Sequence, residues 1–390
     1  MTEEQLHSII RAGESSTVEF KTDDIHPMAL AEEVAAFANF EGGTVFIGIA
    51  DDGSIRGCSR EGLEEFVVNV CRNNVRPSII PHIERVVAGS SKVLVVTVPR
   101  GETAHATSRG HYFIRVGSTK QLPTQQELIR LFQQRKLLQF DETPVLQAGP
   151  GAVDVSLVNE YLSHLGQQPV DDSSESALRN ELVNMSICIE VDGGVYPTLG
   201  GLLMFGRDPQ RYFPSFLIQC GAYRGEDVTS EAVSEKESRG TITRQIEDAM
   251  AFFRLVLPQD HALEDSTRRR DSFAYPLQAL REALVNAACH RDYTITGSSI
   301  RVFVFDDRIE IRSPGGLPNT LTLQSMQYRQ FTRNQIIASF LAGLGYMERR
   351  GKGILRIKKL SEEFGCSCSF DLGPDETEFT VIIRQGEAQK

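Results

Sequence analysis

The stretch "DETPVLQAGPGAVD", residues 141–154, separates two long series of helix and strand signals. Its proline and glycine content suits a connector between folded units and not a regular element. At 390 residues the chain also exceeds what one hydrophobic core ordinarily sustains, so two or three domains are expected. We read a first unit over 1–140, a mixed α/β connecting segment over 141–270, and a last unit over 271–390. The expected fold class is α+β throughout.

Local signals are strong at both ends of the first unit. "TEEQLHSIIRAG" places Thr2 at a helix N-cap, Gln5 three residues on, and Gly13 as the stop. Thr124 and Glu127 form a second such box ahead of "IRLFQQRKLL". Between them "TVEF" and "TVFIGI" read as strands and "MALAEEVAAFANF" as a helix. The glycines of "TLGGLLMFGRD" read as turn and close-packing positions, not as a phosphate loop. From Tyr275 onward the order is helix, strand pair, glycine turn, helix, glycine turn, helix and terminal strands.

Composition narrows the function classes. With 41% hydrophobic and 24% charged residues the chain has the balance of a soluble globular protein. No apolar run approaches eighteen residues and "MTEEQLHSII" lacks a basic start, so a cytoplasmic protein with no membrane span or secretion signal is expected. Seven scattered cysteines, at 58, 71, 188, 220, 289, 366 and 368, are expected as reduced thiols. A net charge of -11 argues against bulk nucleic-acid binding, but the charge is uneven. Between Cys71 and Lys136 lie eleven Lys/Arg and three acids, an excess of eight positive charges that can hold phosphate backbones. A solvated surface balanced by acids elsewhere accounts for that window equally well.

Two constellations carry chemistry. In "REALVNAACHRDY", Glu282, Asn286 and His290 stand four apart and so share one helix face. That stripe is either the solvent side or a ligand side. His290 also suits a simple helix C-terminus, where a cation is favoured. "SPGG" supplies Gly315 and Gly316, while "RGKG" sets Gly351, Lys352 and Gly353 directly before a helix, where backbone N–H groups receive anions. "TRNQIIASFLAGLG" has the makings of a mobile lid carrying Arg333 and Asn334, and Arg349, Arg350 and Lys352 are phosphate candidates. At the front, Glu14, Glu19 and Asp51 fall at or near strand ends, where Mg²⁺ or Mn²⁺ would offset their repulsion and activate water. Ordinary surface acids account for the same pattern.

Residues 275–385 resemble the GHKL ATPases, in the divergent branch at the end of bacterial Schlafen-domain proteins of the regulator or DNA-helicase-like group. The resemblance implies a Bergerat-type α/β sandwich binding ATP and Mg²⁺. It makes Glu282 the residue that polarises water and Asn286 the metal ligand, with the glycine turns receiving adenine and phosphates. The family's adenine-reading D-x-G-x-G turn is here Ser313-Pro314-Gly315-Gly316, without the carboxylate. Losing that acceptor costs about 1–3 kcal/mol.

"ESSTVEFK", "AFANFEGGTVFIGIADDGSIRG" and "YFIRVGS" resemble the Schlafen-type AlbA domain over residues 12–132. That resemblance implies a DNA- or RNA-binding unit, with Lys21, Arg109, Arg115 and Lys120 toward phosphates. It also carries the acidic trio of the Schlafen ribonucleases onto Glu14, Glu19 and Asp51. Lys21 serves equally as a structural partner for Glu19 or Asp51. The leading expectation is a cytosolic, nucleic-acid- and ATP-binding regulator of transcription, a dimer by preference and at most a weak ATPase. The alternatives are a metal-dependent nuclease acting on structured RNA and a protein–protein scaffold with relic sites.

Overall fold

Both capping boxes form. In the computed structural model, which describes residues 1–135, 139–170, 174–260, 272–317, 322–327, 332–348, 353–373 and 377–386, Thr2 caps α1 (Glu3–Ala12) and Thr124 caps α4 (Gln125–Gln134). Between them run β1 (Val18–Lys21), α2 (Pro27–Asn39), β2 (Gly43–Ile47), α3 (Leu63–Asn73), β3 (Val75–Arg76), β4 (His82–Ala88), β5 (Ser91–Val98), β6 (Ala106–Thr107), β7 (Ile114–Val116) and β8 (Thr119–Gln121). The main sheet has the order β1-β2-β5-β4, with β1 and β2 parallel and the other pairs antiparallel. Strand β5 explains its unbroken apolar run. Val93 and Val95 join Leu6 and Phe46 on one face, while Leu94 and Val96 join Val34 and Phe37 on the other. A strand buried on both faces has no polar side to show.

The rear unit begins at Gln139 and is α+β like the front. It contains α5 (Val155–His164), α6 (Glu175–Asn184), β9 (Cys188–Val191), β10 (Gly194–Pro197), α7 (Leu199–Phe205), β11 (Ile218–Arg224), β12 (Glu231–Ser238) and α8 (Ile242–Val256). After the short pair β13 (Gln259–Asp260) and β14 (Ser272–Phe273) come α9 (Leu277–His290), β15 (Ile300–Val304), β16 (Arg308–Pro314), α10 (Gln335–Gly343), α11 (Gly353–Glu363), β17 (Cys366–Leu372) and β18 (Glu378–Gln385). Six strands form one sheet in the order β12-β11-β15-β16-β18-β17. All neighbours are antiparallel except β11 and β15, which pair in parallel from Ile218/Ile300 to Ala222/Val304. The sheet therefore takes strands from both sides of residue 270. Helix α9 packs on β16 with α8 and α11 beside it. The glycines of "TLGGLLMFG" pack closely within and after α7, where a Cβ at Gly201 would lie 2.1 Å from the Ile187 carbonyl oxygen.

Candidate functional site

On α9 the apolar residues Ala283, Leu284, Val285, Ala287 and Ala288 are buried in the rear core. Glu282 and Asn286 stand half-buried on the face toward α11. The Asn286 Nδ2 is buried and has no hydrogen-bond partner among the described residues. Leaving such a donor unmet costs about 1–3 kcal/mol, so its persistence calls for an explanation. Gly353, the first residue of α11, lies directly over the pair. A Cβ there would come within 2.7 Å of Asn286 Nδ2, 2.9 Å of its Oδ1 and 3.1 Å of Glu282 Oε1. Only glycine lets the start of α11 come this near.

Burial raises the Glu282 carboxyl above its ordinary pKa, an effect that the nearby Arg356 guanidinium opposes. Arg356, on the first turn of α11, sits 3.9 Å from Glu282 and 3.4 Å from Glu348. It is a candidate that spacing alone did not reveal. A side-chain amide, a carboxylate, an arginine and the positive end of an eleven-residue helix thus meet at one place. This donor set fits a phosphate with its divalent cation: Asn286 offers an oxygen and an unspent N–H, and a helix start favours anions. Of the predicted phosphate turn, Arg349, Arg350, Gly351 and Lys352 lie outside the described residues.

The segment with Arg333 and Asn334 is docked in this structure. Arg333 donates to the His290 carbonyl at 2.6 Å and to the Gly316 carbonyl at 2.8 Å. Asn334 Nδ2 donates to the Cys289 and Arg291 carbonyls at 2.8 and 2.9 Å. These bonds serve the free carbonyls at the end of α9. Gly315 adopts φ +112°, and a Cβ would meet Asp292 at 2.6 Å and Arg333 at 2.7 Å. The "SPGG" turn is consequently packed by protein groups. His290 is exposed at the last turn of α9. The start of α10 is held from afar. Asp141 Oδ2 accepts from the Ile336 and Ile337 amides at 2.7 and 3.2 Å, and burial pushes this carboxyl up to about 6.

At the front, Glu19 is buried and accepts from Lys21 Nζ at 2.5 Å and Arg115 Nη1 at 2.9 Å. Arg115 also donates to Glu33 at 3.0 Å and to the Ser15 and Ser118 carbonyls, and lies over the Phe37 ring. Lys120 holds Glu33 at 2.9 Å and Glu32 at 3.1 Å. Three cations and three carboxylates thus form one network that ties the β7–β8 hairpin to β1 and α2. Burial raises the Glu33 pKa, while the hydrogen bond and charge of Lys120 oppose that rise. Glu33 was legible in principle, since Leu30, Glu33, Val34 and Phe37 follow the i, i+3, i+4, i+7 stripe that α2 buries. Glu14 accepts from the Phe20 amide at 2.9 Å, and Asp51 is exposed in the turn after β2. Arg109 is exposed in the turn after β6. Among the described residues no three His, Cys, Asp or Glu side chains gather in a metal-holding group, Glu14, Glu19 and Asp51 included.

Residues 14–124 match the family model described as "Schlafen, AlbA_2", and residues 297–383 match the one described as "Putative ATP-dependent DNA helicase recG C-terminal". The chain joins a Schlafen AlbA_2 domain to a RecG-C-terminal-type domain. The rear match starts after α9, so Glu282 and Asn286 lie outside it. In overall fold the chain is similar to the crystal structure of the DIP2311 protein from Corynebacterium diphtheriae, with 18% identity and a TM-score of 0.50 over 98% of this chain and 80% of that one. The N-terminal domain of a "Putative ATP-dependent DNA Helicase RecG-related Protein" from Nitrosomonas europaea, solved by solution NMR, matches at 22% identity and a TM-score of 0.25 over 32% of this chain and 94% of that one. No curated protein matches the chain. No described helix is long and apolar enough to cross a membrane.

Proposed function

We propose that this protein binds nucleic acid through its AlbA_2 domain and a nucleoside triphosphate with Mg²⁺ against the Glu282–Asn286 face, and that it acts as a regulator of transcription. The observation that carries the nucleotide half is the buried Asn286 Nδ2, without a partner among the described residues and facing the start of α11. The ATP-dependent helicase family matched next to it in sequence supports the same reading. Asn286 would hold the metal–phosphate unit, the α11 amides and Arg356 would neutralise its charge, and Glu282 would orient a water or take its proton. The metal, when bound, polarises the phosphate. A Glu282 made more basic by burial suits proton acceptance better than an exposed carboxylate would.

Binding at this site would compete for Arg356, now shared with Glu282 and Glu348, and so would shift α11. Coupling between nucleotide and nucleic acid follows if the two arrangements of α11 differ in affinity for either ligand. The test is titration calorimetry of the full chain with ATP–Mg²⁺, alongside Asn286→Ala. Saturable binding that the substitution abolishes supports the reading. Equal heats for both proteins remove it.

A further inference from the structure

We infer that the nucleic-acid surface of the front domain is the exposed arginine face formed by Arg72, Arg76 and Arg109, and not the β7–β8 hairpin. The inference rests on the nucleic-acid half of the reading above and specifies where contact occurs. Arg115 and Lys120, although both fall in the basic window, are already bound to Glu19, Glu32 and Glu33. Lys21 is likewise held by Glu19. A cation whose charge a carboxylate already offsets at hydrogen-bonding distance contributes less to phosphate attraction than an unpaired one.

Arg72, Arg76 and Arg109 are different. All three are exposed, and none has a carboxylate partner among the described residues. The backbone brings them together at Asn74. Arg72 and Arg76 lie two residues to either side of it, and its carbonyl accepts from the Ser108 amide at 2.8 Å, one residue before Arg109. The β3–β6 ladder fixes this join, with Val75 opposite Thr107 and Arg76 opposite Ala106. The joined stretches hold no acid, since 71–83 and 103–126 contain neither Asp nor Glu. Ile80, 89% exposed, stands beside them, because the Ile79 amide donates to the Cys71 carbonyl next to Arg72. Three exposed arginines without a carboxylate partner among the described residues, on stretches joined near an exposed isoleucine, suit a phosphodiester backbone with its sugars and bases; a simple anion would leave the isoleucine unused.

Fluorescence anisotropy of the full chain with labelled DNA and RNA, single- and double-stranded, across a salt series tests this. Each lost phosphate contact flattens the slope of log K against log salt by about 0.9 on duplex DNA. The triple variant Arg72→Ala, Arg76→Ala, Arg109→Ala should therefore show a slope flatter by roughly 3, and affinity at low salt reduced at least about tenfold for every sequence. Lysine at the same three positions should keep the slope, which separates lost charge from lost fold. Wild-type binding with an unchanged slope in the alanine variant overturns the surface assignment and leaves nucleic-acid binding standing. Failure of the wild type to bind any nucleic acid at low salt overturns both. Equal affinity for polyglutamate would also overturn the assignment, by making the face a general anion binder.

Discussion

The front domain buries Glu19 and Glu33 and answers both with Arg115; the rear domain buries the Asn286 Nδ2 and gives it no partner among the described residues. Both sites look alike in sequence, as polar residues set into apolar helices and strands. The difference lies in charge: the front carboxylates meet cations, although the buried Arg115 Nε has no partner among the described residues, whereas the Asn286 Nδ2 meets nothing there at all. A buried network whose charges are paired fixes structure, since its members are expensive to separate. An incomplete one at a helix start is poised for something that arrives from outside. By this measure the front acidic residues hold their domain together, and the rear ladder is where we propose that a ligand binds.

Breaking the front network should have the largest effect. Arg115→Ala leaves two buried carboxylates without their shared cation and should destabilise the front domain by about 3–5 kcal/mol in urea unfolding. A loss below about 1 kcal/mol would erase the contrast between the two sites. Next comes Asp141, whose folded pKa of about 6 lies above the ordinary 3.8. The folded chain therefore binds that proton more tightly than the unfolded chain does. Stability from this group is greatest below the unfolded value and is lost as pH rises through about 6, by roughly 3 kcal/mol in all. Asp141→Asn should flatten the melting temperature of the rear unit between pH 4 and 7, and an unchanged profile would refute the assignment.

Saturating ATP–Mg²⁺ sharpens the comparison from the other side. At a hundredfold excess over Kd it should stabilise the rear unit by about 2.7 kcal/mol, and Asn286→Ala should lose that gain. Lastly, Gly353→Ala forces a methyl within 2.7 Å of the Asn286 amide and should cost about 1–3 kcal/mol by overpacking. If calorimetry finds nucleotide affinity undiminished in that variant, α11 does not need to approach the ladder.

Local chemistry was readable in the sequence. The Thr2 and Thr124 boxes close as spacing predicts, because capping involves residues three apart. The Glu282–Asn286 helix was readable for the same reason, as period and polarity lie within two turns. What was not readable depends on distant partners. Lys120 reads as a phosphate ligand until α2 brings Glu32 and Glu33 to it. The lid reading of 332–345 fails to foresee that Arg333 and Asn334 would find the end of α9. Pairing of β11 with β15 joins Ile218 to Ile300 across a long crossover that no local pattern announces. Nor does anything around Asp141 point to its partners, 195 and 196 residues downstream.

That last contact sets where the rear unit can be cut free. A truncated chain starting at residue 150 would keep every strand of the six-stranded sheet. It would nonetheless strip α10 of the only side chain bonded to its second and third amides among the described residues. The stretch that composition marks as a connector is thus part of the folded body it precedes.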